Sequence, residues 1–172
     1  MKTERLTIKG TTQELTGVYH SPLGDIVLTS DGSALTGLRF AESPCGELAQ
    51  DIPLLADACR WLNLFFGGTK PDFTPQLAPI GTPFQQSVWR ELLTIPYGRT
   101  VSYGYIAKRI SCRSAQAVGG AVGHNPIALI IPCHRVIGSD GHLTGYAYGL
   151  DRKKWLLSHE VLNSTQCKRV CQ

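Results

Sequence analysis

Apolar and polar residues alternate over much of the first forty positions, with the period of two that is typical of half-buried β-strands. The alternating runs lie at residues 18–20, 26–28 and 35–40. Pro22-Leu23-Gly24 and Asp31-Gly32 separate these runs and are turn signals. The pattern predicts three short strands joined by tight turns.

A helical period follows the alternation. The apolar stripe consists of Leu54, Leu55, Ala58, Trp61, Leu62 and Phe65. Gly67-Gly68 is expected to end this helix, because glycine is frequent at helix C-termini. The prolines and glycine of residues 69–81 predict a linker, so the chain is expected to divide near residue 80.

The second half opens with a strong helix-start signal. Thr82 is a predicted N-cap, Pro83 suits the first helical position, and Gln85 completes a capping box. Phe84, Val88, Trp89, Leu92 and Leu93 form the apolar face of this helix. The segment Ile95-Pro96-Tyr97-Gly98 is predicted to end it.

Two short helices joined by a tight turn are predicted next. Ser102 caps a helix that extends to Ile110, and the second helix covers about residues 114–122. In a basic segment this arrangement is typical of a helix-turn-helix. The second helix is rich in small residues, namely Ala115, Ala117, Gly119, Gly120 and Ala121. Close packing and close approach to a narrow surface, such as a DNA minor groove, both explain them, and composition does not choose.

The most informative segment is Pro132-Cys133-His134-Arg135, which follows the apolar run 127–131 directly. The run is predicted to be a buried strand, which would hold the thiol rigidly. The glycine-rich segment 138–149 behind it can form one wall of a pocket. Cys133 is therefore the candidate nucleophile.

Composition and charge narrow the functional class. The 172 residues are 42% hydrophobic and 17% charged, which predicts a globular protein. No apolar run is long enough to span a bilayer, and we expect a soluble cytoplasmic protein, associated with the nucleoid in a bacterium. Residues 1–80 carry 6 Lys/Arg and 9 Asp/Glu, whereas residues 81–172 carry 11 and 4. The basic half suggests a polyanion-binding face, although a chance imbalance explains the charge alone equally well.

The six cysteines are expected to be reduced thiols, since no export signal is recognisable and the core is adequate. Cys59 lies in the apolar stripe and is expected to be a core residue. Cys167 and Cys171 could hold a metal together with His159, but a structural zinc site usually has four well-spaced ligands. We predict no metal.

Several separate motifs resemble the O6-alkylguanine-DNA alkyltransferase family. In chain order they are Thr82-Pro83-Phe84-Gln85, Ile95-Pro96-Tyr97-Gly98, Gly123-His124-Asn125-Pro126, Ile131-Pro132-Cys133-His134-Arg135-Val136-Ile137, Gly141-x-x-x-Gly145-Tyr146 and Lys153-x-Trp155-Leu156-Leu157-x-His159-Glu160. The resemblance covers about residues 80–160. It implies an α/β two-domain fold, with an N-terminal ribonuclease H-like α/β domain in residues 1–80 and a C-terminal winged helix-turn-helix-like domain in residues 81–172. It implies no cofactor.

The resemblance also implies a reaction, the irreversible transfer of an alkyl group from guanine O6 in DNA to Cys133. Adjacent residues of an extended chain point to opposite faces, so a direct Cys133–His134 contact is awkward and a bridging water is expected. Glu160 is then expected to orient the imidazole, as the carboxylate does in other triads. Water does not readily cleave the thioether product, so the reaction is expected to be a stoichiometric suicide reaction. O4-methylthymine is an expected weaker substrate.

The family also implies roles for residues around the thiol. Tyr103 is expected to donate to guanine N3, Lys153 to lie near the thiolate, and Asn125 to brace the turn before Cys133. Arg135 is expected to be a structural ion-pair partner.

Four further residues are expected to contact the substrate. The backbone at Val136, with that of Cys133, is expected to read the guanine amino group, and the Ala147 amide to reach O6. Tyr146 and Tyr148 are expected to line the pocket. The bulk of Tyr148 is expected to disfavour large adducts and O6-benzylguanine, and Tyr148→Gly to restore sensitivity.

The expected partner is double-stranded DNA, bound through its minor groove with the target nucleotide flipped out, because O6 is not open to in-line attack inside the stack. The predicted DNA contacts are Ser102, Arg109, Arg113, Ala115, Gln116, Ala117 and Gly119. Gln116 stands where the family usually has an arginine that fills the vacated stack, so flipping is expected to be weaker, with Arg109 and Arg113 near enough to compensate. We expect a monomer in solution, with cooperative binding on DNA left open.

Two other classes compete with this interpretation. A non-catalytic module of the same fold would bind alkylated DNA without repairing it, but such relatives lack the cysteine. A cysteine hydrolase built on Cys133, His134 and Glu160 would need an oxyanion hole and a direct Cys–His pair.

Overall fold

The computed structural model describes residues 14–43 and 46–166. Its N-terminal part is an antiparallel sheet of strands β1 (Leu15–Ser21), β2 (Gly24–Ser30) and β3 (Leu35–Phe40), in that order. Gly24 has a φ of 106° in the β1–β2 turn, a conformation that favours glycine. Ile26, Leu28 and Leu38 are fully buried. The three predicted strands are confirmed, with β1 and β2 longer than expected.

Helix α1 (Ala56–Phe66) packs behind the sheet and ends at Gly67, as predicted. Its start lies later than expected, because the residues before it form two short 3-10 turns, Ala49–Asp51 and Pro53–Leu55. The predicted linker is partly wrong. Leu35 donates its amide to the Gln76 carbonyl and accepts from the Ala78 amide, both at 2.8 Å, so this segment extends the edge of the sheet.

The C-terminal part contains α2 (Pro83–Leu92), α3 (Tyr103–Arg109), α4 (Ala115–Gly123) and α5 (Leu150–Gln166). Both hydrogen bonds of the predicted capping box form between Thr82 and Gln85, and the Ser102 side chain caps α3. Trp89 of α2 donates its indole N–H to the Ala121 carbonyl of α4 at 2.9 Å. This bond fixes α4, the second helix of the helix-turn-helix, against α2.

Two very short strands, β4 (Val101–Ser102) and β5 (Val136–Ile137), pair in parallel. They join the start of α3 to the segment that follows Cys133. The pairing therefore brings Tyr103 and Cys133 close together in space, although thirty positions separate them in sequence.

The predicted strand at residues 127–131 is wrong. Ile127 makes one bridge to Leu38 of β3, after which the chain turns at Leu129, whose φ is 67°, and the Ile130 amide bonds the Ala128 carbonyl. A second tight turn at Pro132 joins the Cys133 amide to the Ile131 carbonyl at 2.8 Å. Pro132 lacks an N–H group, so the chain cannot continue as a sheet strand here.

Buried apolar residues from both halves form one continuous core. Leu28 and Leu38 of the sheet, Phe65 of α1 and Ile131 beside the thiol all belong to it. The N-terminal part therefore packs directly against the segment that carries Cys133. No helix within residues 14–43 and 46–166 is both long and apolar enough to cross a bilayer.

Candidate active site

An open pocket of about 420 Å³ surrounds Cys133. Of the predicted site residues, Tyr103, Gly119, Asn125, Tyr146, Ala147 and Tyr148 line it with the thiol. Val136 is not among its lining residues. Its side chain is fully buried and its carbonyl accepts one hydrogen bond, from the Lys153 ammonium at 2.6 Å, so the expected contact of its backbone with a guanine amino group stays a prediction.

The backbone at Cys133 is a 3-10 turn, Cys133–Arg135, and not the extended chain that the sequence predicted. Asn125 braces the approach to it, since its amide group donates to the Ile131 carbonyl at 2.8 Å and its oxygen accepts from the Ile127 amide at 3.0 Å. The expected bracing role of Asn125 agrees with these contacts. The alternation of side chains that was expected to separate Cys133 from His134 does not apply in a turn.

Cys133 is a buried thiol with opposing electrostatic influences. Burial raises its pKa, whereas a hydrogen bond from Asn125, hydrogen bonds from the backbone at 133 and 134, and the Lys153 charge all lower it. Because the net direction is upward, the thiol is protonated at rest at neutral pH. A nucleophilic role therefore requires a base that removes the proton.

Glu160 lies at the centre of a buried network behind the thiol. Its Oε1 accepts from His134 Nε2 at 2.7 Å, and its Oε2 accepts from Arg135 Nε at 2.9 Å and from the Gly98 amide at 2.8 Å. Glu160 and His134 are both fully buried. Although burial by itself raises the pKa of this carboxyl, the hydrogen bond from His134 and the hydrogen bonds and charge of Arg135 lower it to about 2.

These contacts define the protonation of His134. A carboxylate only accepts hydrogen bonds, so Nε2 carries the imidazole proton and Nδ1 has a free lone pair. Nδ1 is buried and has no hydrogen-bond partner among the described residues. Burial lowers the pKa of His134 against the opposing effect of Glu160, so the ring is neutral at pH 7 and able to accept a proton.

Lys153 and Tyr103 meet on the other side of the thiol. The buried Lys153 ammonium donates to the Val136 and Thr144 carbonyls, both at 2.6 Å, and the Tyr103 hydroxyl donates to the same Thr144 carbonyl at 3.3 Å. Burial lowers the pKa of Lys153, and the proximity of Cys133 raises it. The arrangement brings a cation and a phenol to one edge of the pocket, as the family resemblance implied.

Sequence reasoning missed three contributors to the site. The Gly98 amide and the Ile95 carbonyl, which accepts from Arg135 at 2.7 Å, belong to a segment that was interpreted only as a helix end. The motif resemblance at residues 95–98 was the available signal. His124 also lines the pocket and bonds the Gly120 carbonyl through Nδ1 at 2.7 Å, and nothing in the sequence singled it out apart from its place in the Gly123–Pro126 motif.

The predicted DNA face lies along α3 and α4 beside this pocket. Arg113, Ala115, Gln116 and Ala117 are exposed at the turn and at the start of α4. Arg109 pairs with Glu91 at 2.8 Å and its side chain is still about half exposed, so its expected contact with DNA stays a prediction. Ser102 is half-buried and its hydroxyl is used as the α3 cap.

The structure bears on the two explanations of the small residues in α4 at its three glycines. A Cβ atom added at Gly120 or Gly123 would meet nothing within 4 Å, and one at Gly119 would make only ordinary contact with the Tyr103 ring at 3.7 Å. Close packing within the protein therefore does not require glycine at these positions. The open space in front of them favours the approach of another molecule.

The remaining cysteines add no second site to the described part of the chain. Cys59 is buried, as predicted, and Cys112 is half-buried; both are free thiols. No group of three or more potential metal ligands occurs within residues 14–43 and 46–166. Cys167 and Cys171 lie outside the described residues, and His159 bonds the Phe65 carbonyl at 2.6 Å.

Comparison with known proteins identifies the family. A model of the 6-O-methylguanine DNA methyltransferase DNA-binding domain matches residues 83–162, and a model of the ribonuclease-like domain of the same enzyme matches residues 15–79. The chain belongs to the 6-O-methylguanine DNA methyltransferase family.

Individual relatives agree with this assignment. The methylated-DNA–protein-cysteine methyltransferase of Mycobacterium tuberculosis is 48% identical over 145 residues, which are 81% of this chain and 88% of the relative. That of Methanosarcina acetivorans is 44% identical over 152 residues, 83% of this chain and 96% of the relative. The crystal structure of Mycobacterium tuberculosis OGT in complex with DNA has a TM-score of 0.77 at 44% identity and covers 86% of this chain and 93% of that chain.

The predicted family, its α/β fold with a ribonuclease-like and a DNA-binding part, and the enzyme class are thus confirmed. Enzymes of this class transfer an alkyl group from DNA to a cysteine of the protein and thereby repair the DNA.

The ionisation of Glu160 makes the stability of the fold depend on pH. A carboxyl whose pKa falls from 4.5 to about 2 on folding contributes about 3 kcal/mol of stability, present above pH 4.5 and lost as the pH falls toward 2. We expect the free energy of unfolding in urea to fall by about 2 kcal/mol more in the wild type than in Glu160→Gln between pH 5 and 2.5, because part of the effect is lost only below pH 2.5.

Glu160→Gln itself is expected to be about 3–5 kcal/mol less stable at pH 7, because Arg135 is left buried and unpaired. Glu91→Gln is the matched control, since its partner Arg109 is about half exposed and such pairs contribute little. If the free energy of unfolding fell equally at low pH in the wild type and in Glu160→Gln, the lowered pKa of Glu160 would be contradicted.

Proposed function

We propose that this enzyme repairs O6-methylguanine in double-stranded DNA by moving the methyl group irreversibly to Cys133. The observation that carries the proposal is a buried thiol that opens into a pocket of base size, with the Glu160–His134 pair directly behind it. The comparisons support the reaction class, and the geometry supports the individual roles that follow.

The first step is activation of the thiol. His134 Nδ1 takes the Cys133 proton through a bridging water, while Glu160 holds the imidazole by Nε2 and stabilises the imidazolium that forms. The Lys153 charge, which lowers the pKa of Cys133 against burial, stabilises the thiolate. The buried ion pair of Glu160 with Arg135 keeps the carboxylate ionised throughout.

The second step is displacement at carbon. The thiolate sulfur forms a bond to the methyl carbon as the bond between that carbon and O6 breaks, and the electron pair remains on guanine. Tyr103 stabilises the departing base by donating its hydroxyl proton to N3 as a hydrogen bond, and the Ala147 amide donates to O6. Tyr103 and Ala147 both line the pocket beside the thiol.

The product explains a single turnover. S-methylcysteine is a thioether, which has no good leaving group for attack by water, so the sulfur is not regenerated. Each molecule therefore reacts once. O4-methylthymine presents a methyl group on an equivalent exocyclic oxygen and is a weaker substrate of the same chemistry.

The pocket reaches its substrate by base flipping. The lesion rotates out of the duplex while α4 enters the minor groove, where the absence of side chains at Gly120 and Gly123 permits close approach. Gln116 occupies the exposed start of α4 and fills the vacated stack. The protein acts on cytoplasmic or nucleoid DNA and needs neither cofactor nor metal, and it is a monomer before it binds.

Intact-mass spectrometry after mixing the protein with duplex DNA that carries one O6-methylguanine tests the proposal. We expect a gain of one methylene unit per molecule, located on the Cys133 peptide. Cys133→Ser should gain nothing, and Cys112→Ser, which removes a half-buried thiol outside the pocket, should react like the wild type.

Each alternative result has a clear meaning. Lesion binding without a mass change would indicate a recognition module, and turnover of a thioester or peptide substrate would indicate a hydrolase. Either result would overturn the proposal.

Gln116→Arg is expected to strengthen both DNA affinity and transfer rate several-fold. An added guanidinium at the exposed start of α4 would stack in the vacated site and contact phosphate, so the salt dependence of binding should also steepen. Gln86→Arg adds the same charge on exposed α2 and serves as the control. The weaker-flipping hypothesis fails if Gln116→Arg changes neither quantity or if the control gains as much.

Gly120→Ala is expected to stabilise the protein and yet weaken DNA binding. Alanine in a helix interior gains up to about 1 kcal/mol over glycine, and its Cβ meets no protein atom within 4 Å. The same methyl group would separate α4 from the groove, so we expect roughly tenfold weaker binding, or about 1.4 kcal/mol.

Thermal melting and fluorescence anisotropy measure the two effects. Ser158→Ala, an exposed helix position of α5, is the control for a change in helix propensity alone. Unchanged DNA affinity in Gly120→Ala would show that the glycine is not kept for close approach.

A further inference from the structure

Tyr148 lines the Cys133 pocket, in a segment that lies between two glycines with positive φ. Gly145 and Gly149 flank this segment with φ values of 39° and 92°, in the region that favours glycine. A wall between two such residues needs external support to keep one position. The structure shows where that support comes from.

Arg152, in the first turn of α5, connects this wall to the N-terminal sheet. Its Nη1 donates to the Tyr148 carbonyl and its Nε donates to the Leu23 carbonyl in the β1–β2 turn, both at 3.0 Å. One planar guanidinium thus spans two backbone segments that lie more than a hundred positions apart in sequence. An ammonium is a point charge without this fork geometry.

Aromatic contacts reinforce the same connection. The Arg152 guanidinium lies 5.0 Å from the centroid of the Phe40 ring, and that ring meets the Tyr148 ring edge-on at 5.2 Å. Tyr148 in turn meets the Tyr146 ring at 5.5 Å. A continuous series of contacts therefore extends from the end of β3 to the pocket.

We propose that Arg152 and Phe40 are positioning residues that hold the Tyr148 wall in place, so that the N-terminal part of the chain limits the size of the alkyl group that reaches Cys133. The inference rests on the proposed function. Neither residue lines the pocket itself. Their effect is exerted through the Tyr148 ring and carbonyl, so loss of either should widen the accepted range of adducts more than it slows methyl transfer.

The test compares transfer rates from two DNA duplexes, one with O6-methylguanine and one with O6-benzylguanine, under single-turnover conditions. In Arg152→Met we expect the ratio of benzyl to methyl rates to rise about tenfold, with hydrogen exchange of the amides at 145–149 faster by a similar factor. Phe40→Leu, which keeps an apolar side chain, should raise the ratio in the same direction. Arg60→Met is the matched control, because Arg60 lies 4.0 Å over the Phe73 ring and contacts no part of this wall.

A double-mutant cycle distinguishes an effect on the position of Tyr148 from a general loss of rigidity around the pocket. Once Tyr148→Gly has removed the wall, adding Arg152→Met should leave the ratio unchanged. A ratio that is unaltered in Arg152→Met, that rises equally in Arg60→Met, or that rises again in the Tyr148→Gly background would overturn the inference while the methyl-transfer reaction stands. Absence of methyl transfer by the wild type would overturn the proposed function as well.

Discussion

The buried carboxylate of Glu160 is the interaction on which the rest of the structure depends. It accepts hydrogen bonds from His134 and Arg135 of the 3-10 turn and from the Gly98 amide, and it is itself a residue of α5. A fully buried charge is costly unless its partners are well placed, so these segments must assemble together. The carboxylate holds the 3-10 turn Cys133–Arg135 and also sets the tautomer of His134. Glu160 therefore has a structural and a chemical role at the same time.

The electrostatics of the thiol follow from the same burial. Cys133 is more difficult to ionise than a free cysteine, and His134 is more difficult to protonate than a free histidine, because each would have to carry charge in an apolar environment. In the proposed mechanism, transfer of the proton from Cys133 to His134 would leave a thiolate stabilised by Lys153 and an imidazolium stabilised by Glu160. The Cys133–His134 pair would then be neutral at rest and charged only during the reaction.

The N-terminal part of the chain contributes to the site although it supplies no reacting group. Phe65 of α1 faces His134, with ring centroids 6.4 Å apart, and its carbonyl binds His159 of α5. Leu38 of β3 pairs with Ile127 at the start of the irregular segment that ends at Cys133. The sheet and α1 therefore form the back of the active site, and through Phe40 they reach one wall of its pocket.

Local signals in the sequence were sufficient for the regular elements. Alternation located β1 to β3, and the caps at Thr82 and Ser102 located two helix starts, because these features depend on nearest neighbours along the chain. The same reasoning was wrong for residues 127–131, since an apolar run is compatible with any buried conformation and the turns there depend on Asn125 and Pro132. The ion pair of Arg109 with Glu91, which joins two helices, was likewise invisible in the sequence.

The sequence by itself determined the candidate residues of the site, including Cys133, His134, Glu160, Tyr103 and Lys153, because the ordered motifs of one family contain all of them. Only the tertiary structure decided how they act together. The orientation of His134 toward Glu160, the carbonyl that Tyr103 and Lys153 share, and the link from Arg152 to Leu23 join residues from 9 to 129 positions apart. Contacts at such separations arise from packing of a common core, and no local pattern of residue types encodes them.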